Sequence, residues 1–167
     1  GPRIEKKLKE ENIPTKFING LRVTDEKVIS IVEEVLIDFN KDIVNSLKKN
    51  GSQAVSITSK SNSIISVIPD KKELGFVGIP DSINSEYLKI IINQKQIPVI
   101  APLGIDKDKN TFNINGDTAA SAIAKKLKSR RLILMTNVEG VYDDQKKLIS
   151  EIKPFDLENL IKWKVVQ

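Results

Sequence analysis

The 167-residue chain contains no cysteine and no histidine. The first absence excludes disulfides and thiolate metal sites, and the second removes the usual general base and zinc ligand. Any chemistry has to come from carboxylates, lysine, arginine, amides, hydroxyls and the backbone. Aromatic residues make up only 5% of the chain, which argues against a nucleic-acid surface even though the formal charge is +5. The 27 basic residues are interspersed with 22 acidic ones, so the excess reads as a Lys-, Ile- and Asn-rich composition shaped by biased codon usage, not as a patch. No apolar run approaches the roughly 18 residues of a membrane span, and nothing resembles a signal peptide. A cytoplasmic protein without nucleic-acid or membrane partners is expected.

A chain of this length fits one domain and can bury roughly 70% of its unfolded surface. Its organising stretch is Phe112 to Leu127, FNINGDTAASAIAKKL, which reads as a strand end, a polar turn and a helix. Asn113, Asn115 and Asp117 alternate just where the helix begins, so their polar groups can converge. Ala119, Ala120, Ala122 and Ala124 keep the helix thin enough to lie close to a sheet. A helix start presents free N–H groups and the positive end of a dipole, which suits an anion. Its plainer reading is that Asn115 or Asp117 caps the helix.

Pro2 to Asn12 has Ile4 and Leu8 four apart among charges, the pattern of a short amphipathic helix. Thr15 to Thr24 centres on Asn19-Gly20, a hairpin signal, from which Arg22 projects, either as a functional group or as an ordinary solvent-facing residue. Thr24-Asp25 caps a long helix with Val28, Ile31, Val32, Val35 and Leu36 on one face, bending around Asp38 to Asn40 and continuing through Ile43, Val44 and Leu47 to a stop at Gly51. Ala54 to Thr58, Ser63 to Ile68 and Leu74 to Ile79 read as strands, the last ending near Pro80, with a small antiparallel excursion among them. Ser85 to Gln94 is a helix with Leu88, Ile91 and Ile92 inward. Ile97 to Ala101 is an apolar run expected to be buried on both faces, followed by a Pro-Leu-Gly turn and a polar loop from Ile105 to Thr111. Arg131 to Met135 reads as a second apolar strand. Helices alternating with apolar strands predict an α/β fold with a mainly parallel sheet covered on both faces, and ligands collect at the carboxyl ends of such strands.

Three further features have plain readings. Lys125 to Arg131 spans a helix end and is a solvated face. Leu157, Leu160, Ile161 and Trp163 stand at helical spacing and are core candidates. Asp106, Asp108 and Asn110 resemble half of a calcium loop but lack its Gly and terminal Glu, so a surface loop is expected. Gly1-Pro2 opens the chain without an initiator Met and Gln167 closes it in an apolar-periodic stretch, as in a piece of a longer protein. Gly-Pro is also what some protease cleavages leave behind, while Pro2 suits a first helical position.

An ordered series of blocks carries a resemblance along nearly the whole chain: Gly1-Pro2, Gly20 to Asp25 (GLRVTD), Asn40-Lys41 with Ile43-Val44, Leu74-Gly75 with Val77-Gly78, Ile97 to Pro102 with Gly104, Asn113 to Asn115 with Asp117 to Ala120, and Leu132 to Leu134 with Thr136 and Val138. The series resembles the acetylglutamate kinases of the amino acid kinase family. GLRVTD and Asn-Ile-Asn-x-Asp are fairly specific; Thr-x-Val-x-Gly-Val is shared more widely. The resemblance implies a three-layer α/β/α sandwich of the amino acid kinase (carbamate kinase-like) fold, incomplete at both ends. Residues 1–104 would be mostly the acetylglutamate side of a single domain and 105–167 the start of the nucleotide side.

It also implies transfer of the γ-phosphoryl group of ATP, with Mg2+, to the side-chain carboxylate of N-acetyl-L-glutamate in arginine synthesis. Arg22, on a hairpin lid, would hold the α-carboxylate through its guanidinium fork. Gly1 would bring backbone N–H groups to substrate, and Asn113 would bind acetylglutamate with Asn115 supporting the turn. Asp117 would orient the family's two catalytic lysines, and Asn137, Val138, Glu139, Gly140, Val141 and Tyr142 would line the adenine and ribose. No residue is assigned to a metal. A glutamyl carboxylate, which ordinarily titrates near pH ~4.3, needs no general base, so the lack of histidine is no handicap. Neither catalytic lysine motif of the family is matched, so the 167 residues alone are expected to have negligible kinase activity. The family often forms dimers or hexamers. Three positions depart from its pattern: Asn137 stands where Asp is usual, Thr58 to Ser61 replaces a Gly-containing stretch, and Gly116 replaces Ala. A kinase for acylated aminoadipate in lysine synthesis and a non-catalytic binding fragment are the alternatives.

Overall fold

The computed structural model describes residues 1–143, 145–153, 155 and 156. Two compact units divide the chain, Gly1–Leu132 and Ile133–Gln167. The first holds helices α1 (Pro2–Glu10), α2 (Glu26–Lys49), α3 (Ser85–Asn93) and α4 (Gly116–Leu127). Its strands are β1 (Phe17–Ile18), β2 (Leu21–Arg22), β3 (Ala54–Ile57), β4 (Ile65–Pro69), β5 (Gly78–Ile83), β6 (Ile97–Ile100), β7 (Leu103–Ile105) and β8 (Thr111–Asn113).

The sequence signals account for the helix ends. Pro2 opens α1 at a position whose N–H has no helical partner, and Ile4 and Leu8 form its buried stripe. Asp25 caps α2 by accepting from the backbone of Lys27 and Val28 at 3.0 and 2.9 Å. At the other end Gly51, at φ 80°, completes a Schellman turn in which the N–H groups of Gly51 and Ser52 each reach back at 3.0 Å to the carbonyls of Lys48 and Leu47. The helix runs unbroken through residues 38–40, where a bend was expected. Asn40 is buried and donates to the carbonyl of Val99 at 2.8 Å while accepting from the Ser56 hydroxyl at 2.6 Å, which ties α2 to both β3 and β6.

Strand pairing is mixed. β3 and β6 pair in parallel, and a second sheet has the order β5-β4-β7-β8, with β4 and β7 parallel and the outer pairs antiparallel. Helix α2 packs against α1 and the strands β3, β6 and β8, whereas α3 packs on β6 and α4 on β5. One apolar cluster joins Ile57, Ile65, Val67, Leu88, Phe112 and Ala119; another joins Ile4, Leu8, Val28, Val32, Ala101 and Leu103. Helices and strands combine in the α/β fold that the alternation of elements implied, but the pairing is not mainly parallel as expected: β4–β5 and β7–β8 are antiparallel, because the segments joining them are too short for a crossover.

Several local expectations are corrected. The stretch expected as a strand from Leu74 to Ile79 is a 3-10 turn, Lys72–Leu74, followed by β5, which runs through Pro80. Proline is tolerated because β5 is the outer strand, where its missing N–H breaks no ladder, and the register slips beside it between Ser66 and Val67. The expected Pro-Leu-Gly turn is largely strand β7, and Gly104 is needed there because an added Cβ would collide with the Val67 side chain. In α3 the buried stripe is Leu88 and Ile91, and Ile92, at its margin, is exposed. β6 is not buried on both faces: Ile97 is 42% exposed and Pro98 to Ile100 are only half-buried; among the described residues its outer edge is also without a second strand. Arg131 to Met135 forms no strand, and Met135 is 96% exposed; an apolar run makes a strand only where a neighbouring edge accepts its hydrogen bonds. Leu157, Leu160, Ile161 and Trp163 lie outside the described residues.

The β7–β8 connection is a surface loop as expected. Asp106 accepts from the backbone of Asp108 and Asn110 and from the Asn110 amide at 2.8–3.0 Å. The Asn110 amide above all, with the two backbone donors, holds its carboxyl below the usual range. Among the described residues no group of three acidic side chains is placed to hold a metal ion.

Candidate active site

The site starts from the Asn19-Gly20 turn. Both residues adopt positive φ, 49° and 78°, as the tight hairpin turn between antiparallel strands requires. A two-residue turn fixes the pairing, so Ile18 faces Leu21 and Phe17 faces Arg22. Thr24 anchors the hairpin's exit: its hydroxyl donates to the Arg22 carbonyl at 2.9 Å, and its backbone exchanges bonds with Leu74 and Phe76 at 2.9 and 2.6 Å. Gly75, at φ 67°, allows that approach, since a Cβ would overlap the Thr24 carbonyl.

Arg22 is therefore not a solvent-facing strand residue; it is only 7% exposed. Its guanidinium carbon lies 4.6 Å from the centroid of the Phe17 ring, and Nη2 donates to Glu5 of α1 at 3.3 Å. Nη1 is buried without a hydrogen-bond partner among the described residues. An unpaired buried donor on a cation is costly to leave unmade, and an anion at that nitrogen would relieve the cost.

Opposite the hairpin, β8 delivers the polar turn. Asn113 is held through its backbone on two sides, paired with Leu103 of β7 and donating to the Phe76 carbonyl at 2.9 Å. Asn115 caps α4, accepting from the Thr118 backbone at 3.0 Å and the Thr118 hydroxyl at 3.2 Å. The capping reading of Asn115 thus holds, and its position also leaves the start of α4 at Gly116 open. Gly1, Phe17, Arg22, Asn113, Asn115 and Gly116 line one cavity of about 210 Å³, walled on its apolar side by Ile4, Leu36 and Val77. A guanidinium, an amide-rich bend and a helix N-terminus around one volume offer positive potential and hydrogen-bond donors, the chemistry that suits a small anion.

Three of the four residues singled out around the phosphoryl-acceptor side, Gly1, Arg22 and Asn113, share this cavity. Asp117 is exposed in the first turn of α4 and does not line it. The stretch from Asn137 to Tyr142 belongs to the second unit. There Tyr142 bridges to Leu148, Ile149 donates to the Val141 carbonyl at 2.8 Å, and Asp143 accepts from the backbone of Gln145 and Lys147 at 2.9 and 2.8 Å. These residues form an exposed turn leading into a small hairpin.

Glu5 and Phe17 were missed by the sequence reading. Phe17 could have been found, because it and Arg22 stand at equal distances from the Asn19-Gly20 turn. Nothing in the spacing of α1 marks Glu5. The same holds for Glu33 of α2, whose carboxylate accepts from Ser59 and Thr111 at 2.6 and 2.9 Å and pairs with Lys60 at 3.3 Å. This cluster stitches the Thr58 to Ser61 loop to the helix, and the loop closes on itself through the Thr58 and Ser61 hydroxyls, 3.2 Å apart.

The sequence profile of the amino acid kinase family matches residues 1–164. An acetylglutamate kinase of Pelagibacter ubique is 55% identical over 166 residues, which cover 99% of this chain and 58% of the relative. One from Caldanaerobacter subterraneus is 43% identical, with 95% and 54% covered. The chain thus spans a little over half the length of these relatives. A crystal structure of smu.665 from Streptococcus mutans superposes with a TM-score of 0.92 at 32% identity, covering 100% of this chain and 69% of that one. An N-acetylglutamate synthase from Neisseria gonorrhoeae, solved with coenzyme A and N-acetyl-glutamate, shares the fold at a TM-score of 0.81 and 18% identity.

Proposed function

Since the chain belongs to the amino acid kinase family, we propose that its protein is a cytoplasmic enzyme transferring the γ-phosphoryl group of ATP to the side-chain carboxylate of N-acetyl-L-glutamate, giving N-acetyl-L-glutamyl 5-phosphate for arginine synthesis. The observation that carries this reading is the buried, unpaired Nη1 of Arg22 on the cavity shared with Asn113 and the start of α4. The likeness to curated acetylglutamate kinases supports the choice of substrate.

In this reading Arg22 neutralises the α-carboxylate of acetylglutamate and Asn113 takes the acetyl amide. The free N–H groups at Gly116 and the backbone of Gly1 face the end of the substrate that reacts. The acceptor carboxylate is ionised near neutral pH, so no proton has to be removed from it. What has to be overcome is the repulsion of two anions, and fixed donors with positive potential do that in phosphoryl transfer. Asp117, exposed beside the same helix start, orients lysines of the complete active site, and Asn137 to Tyr142 line the nucleotide's adenine and ribose. Magnesium would arrive with the triphosphate, as it commonly does where a site offers only one or two carboxylates beside the substrate phosphates. Assembly as a dimer or hexamer belongs to the same proposal.

The test is trapping of the acyl phosphate by hydroxylamine in the complete protein, with acetylglutamate and acetylaminoadipate offered side by side. ATP-dependent hydroxamate from acetylglutamate in clear preference supports the reading. Preference for acetylaminoadipate, or none with either, rejects it.

A further inference from the structure

Glu5 stands on the first turn of α1, beside the buried Ile4. Its side chain is 55% exposed, yet it bonds a guanidinium whose own side chain is 6% exposed. The cation is thereby gripped from two directions: the Phe17 ring lies 4.6 Å away, and Glu5 takes Nη2 at 3.3 Å. Nη1 alone is left buried without a partner among the described residues. A long arginine side chain freed of its carboxylate would gain rotamer freedom and hydration by turning toward water, so a desolvated guanidinium needs a built restraint.

We infer that Glu5 is a positioning residue for substrate: it commits Nη2, keeps the guanidinium over Phe17, and leaves Nη1 as the donor offered to the ligand's carboxylate. This rests on the reading of Arg22 as the carboxylate receptor and narrows it. Recognition runs through one terminal nitrogen, not through both prongs of the fork. The negative charge of Glu5 is not itself required; its acceptor oxygen is. A carboxylate so near the anion site opposes ligand binding by repulsion, whereas the hydrogen bond it accepts favours binding by orientation.

The variants E5Q and E5A separate these effects in the complete protein. Glutamine keeps the acceptor oxygen and removes the charge, and alanine removes both. The inference expects E5A to raise the KM for acetylglutamate about tenfold with kcat nearly unchanged, and E5Q to restore the KM to that of the unsubstituted protein or below. A second readout needs no substrate: the Arg22 Nη protons, held on two sides, should give separate, slowly exchanging NMR signals that persist in E5Q and collapse in E5A. If the protein proves inactive on acetylglutamate, the kinase reading fails while the NMR comparison still decides whether Glu5 holds Arg22. Unchanged Arg22 signals in E5A, an unchanged KM in E5A, or an E5Q variant as impaired as E5A each overturn the inference.

Discussion

Phe17 and Arg22 are cross-strand partners in a hairpin only two residues wide on each side, and the guanidinium carbon sits 4.6 Å from the ring centroid. The ring presents its negative face to the cation and shields it from water on that side. Replacing Phe17 with leucine keeps apolar bulk but loses the quadrupole, and should weaken acetylglutamate binding about 2- to 10-fold, from a contribution of about 0.5–1.4 kcal/mol. Lysine at position 22 should do more damage, because a point charge on a flexible stem cannot both stack and keep a fixed donor at the position of Nη1. Isothermal titration of the complete protein checks both.

Asn40 predicts a stability effect remote from the ligand. Its amide satisfies the Val99 carbonyl at 2.8 Å and accepts from Ser56 at 2.6 Å, within a residue that is 3% exposed. Alanine there strands both partners, and unfolding free energy should fall by about 2–3 kcal/mol. Ser56→Ala removes one bond and should cost about 1 kcal/mol. Urea titration with an unchanged m-value is the check.

Glu33 predicts a pH dependence. Burial disfavours its charge, but hydrogen bonds from Ser59, Thr111 and Lys60, with the Lys60 charge, outweigh that and leave its carboxyl below the ordinary glutamate value. The unfolded chain takes up this proton at higher pH than the folded one. The stabilisation is therefore fully present above the ordinary glutamate pKa and is lost as pH falls through the lowered folded value. In E33Q, the acid limb of the stability curve should be shallower than in the unsubstituted protein, with no difference in slope between the two above neutrality. Thermal melts across acid and neutral buffers measure it.

Gly75 predicts a backbone effect. It adopts φ 67°, and a Cβ would overlap the carbonyl of Thr24, which bridges to Gly75 at the exit of the Arg22 hairpin. Gly75→Ala should destabilise by about 1–3 kcal/mol and lower Tm by about 2–10 °C. It should also broaden the NMR signals of residues 15–24, since the hairpin's anchor moves.

What the sequence revealed follows from how local each feature is. Asn19-Gly20, Asp25, Gly51 and Asn115 act through neighbours a few residues away, so turn, caps and helix stop were legible directly. Ile4 with Leu8, and Val28 with Val32, marked the buried helix faces through periodicity alone. Strand limits were not legible where pairing decides them: Pro80 lies inside β5 because that strand is the sheet's edge, and Leu132 to Met135 stays out of any strand and exposed despite its apolar run. At the site, Gly1, Arg22 and Asn113 were found through the resemblance, and they do line one cavity. The burial of Arg22 and its bond to Glu5 depend on α1 meeting the hairpin, a contact between elements that neither stretch encodes alone.

The central claim is that the guanidinium of Arg22, the amide of Asn113 and the open N–H of Gly116 receive one ligand together. NMR titration of the complete, isotope-labelled protein with N-acetyl-L-glutamate tests it most directly. The account predicts that the Arg22 Nη, Asn113 side-chain amide and Gly116 backbone signals shift in concert and saturate with one shared Kd, and that the shifts vanish in R22A. Signals that stay fixed, or that move with separate affinities, would contradict it.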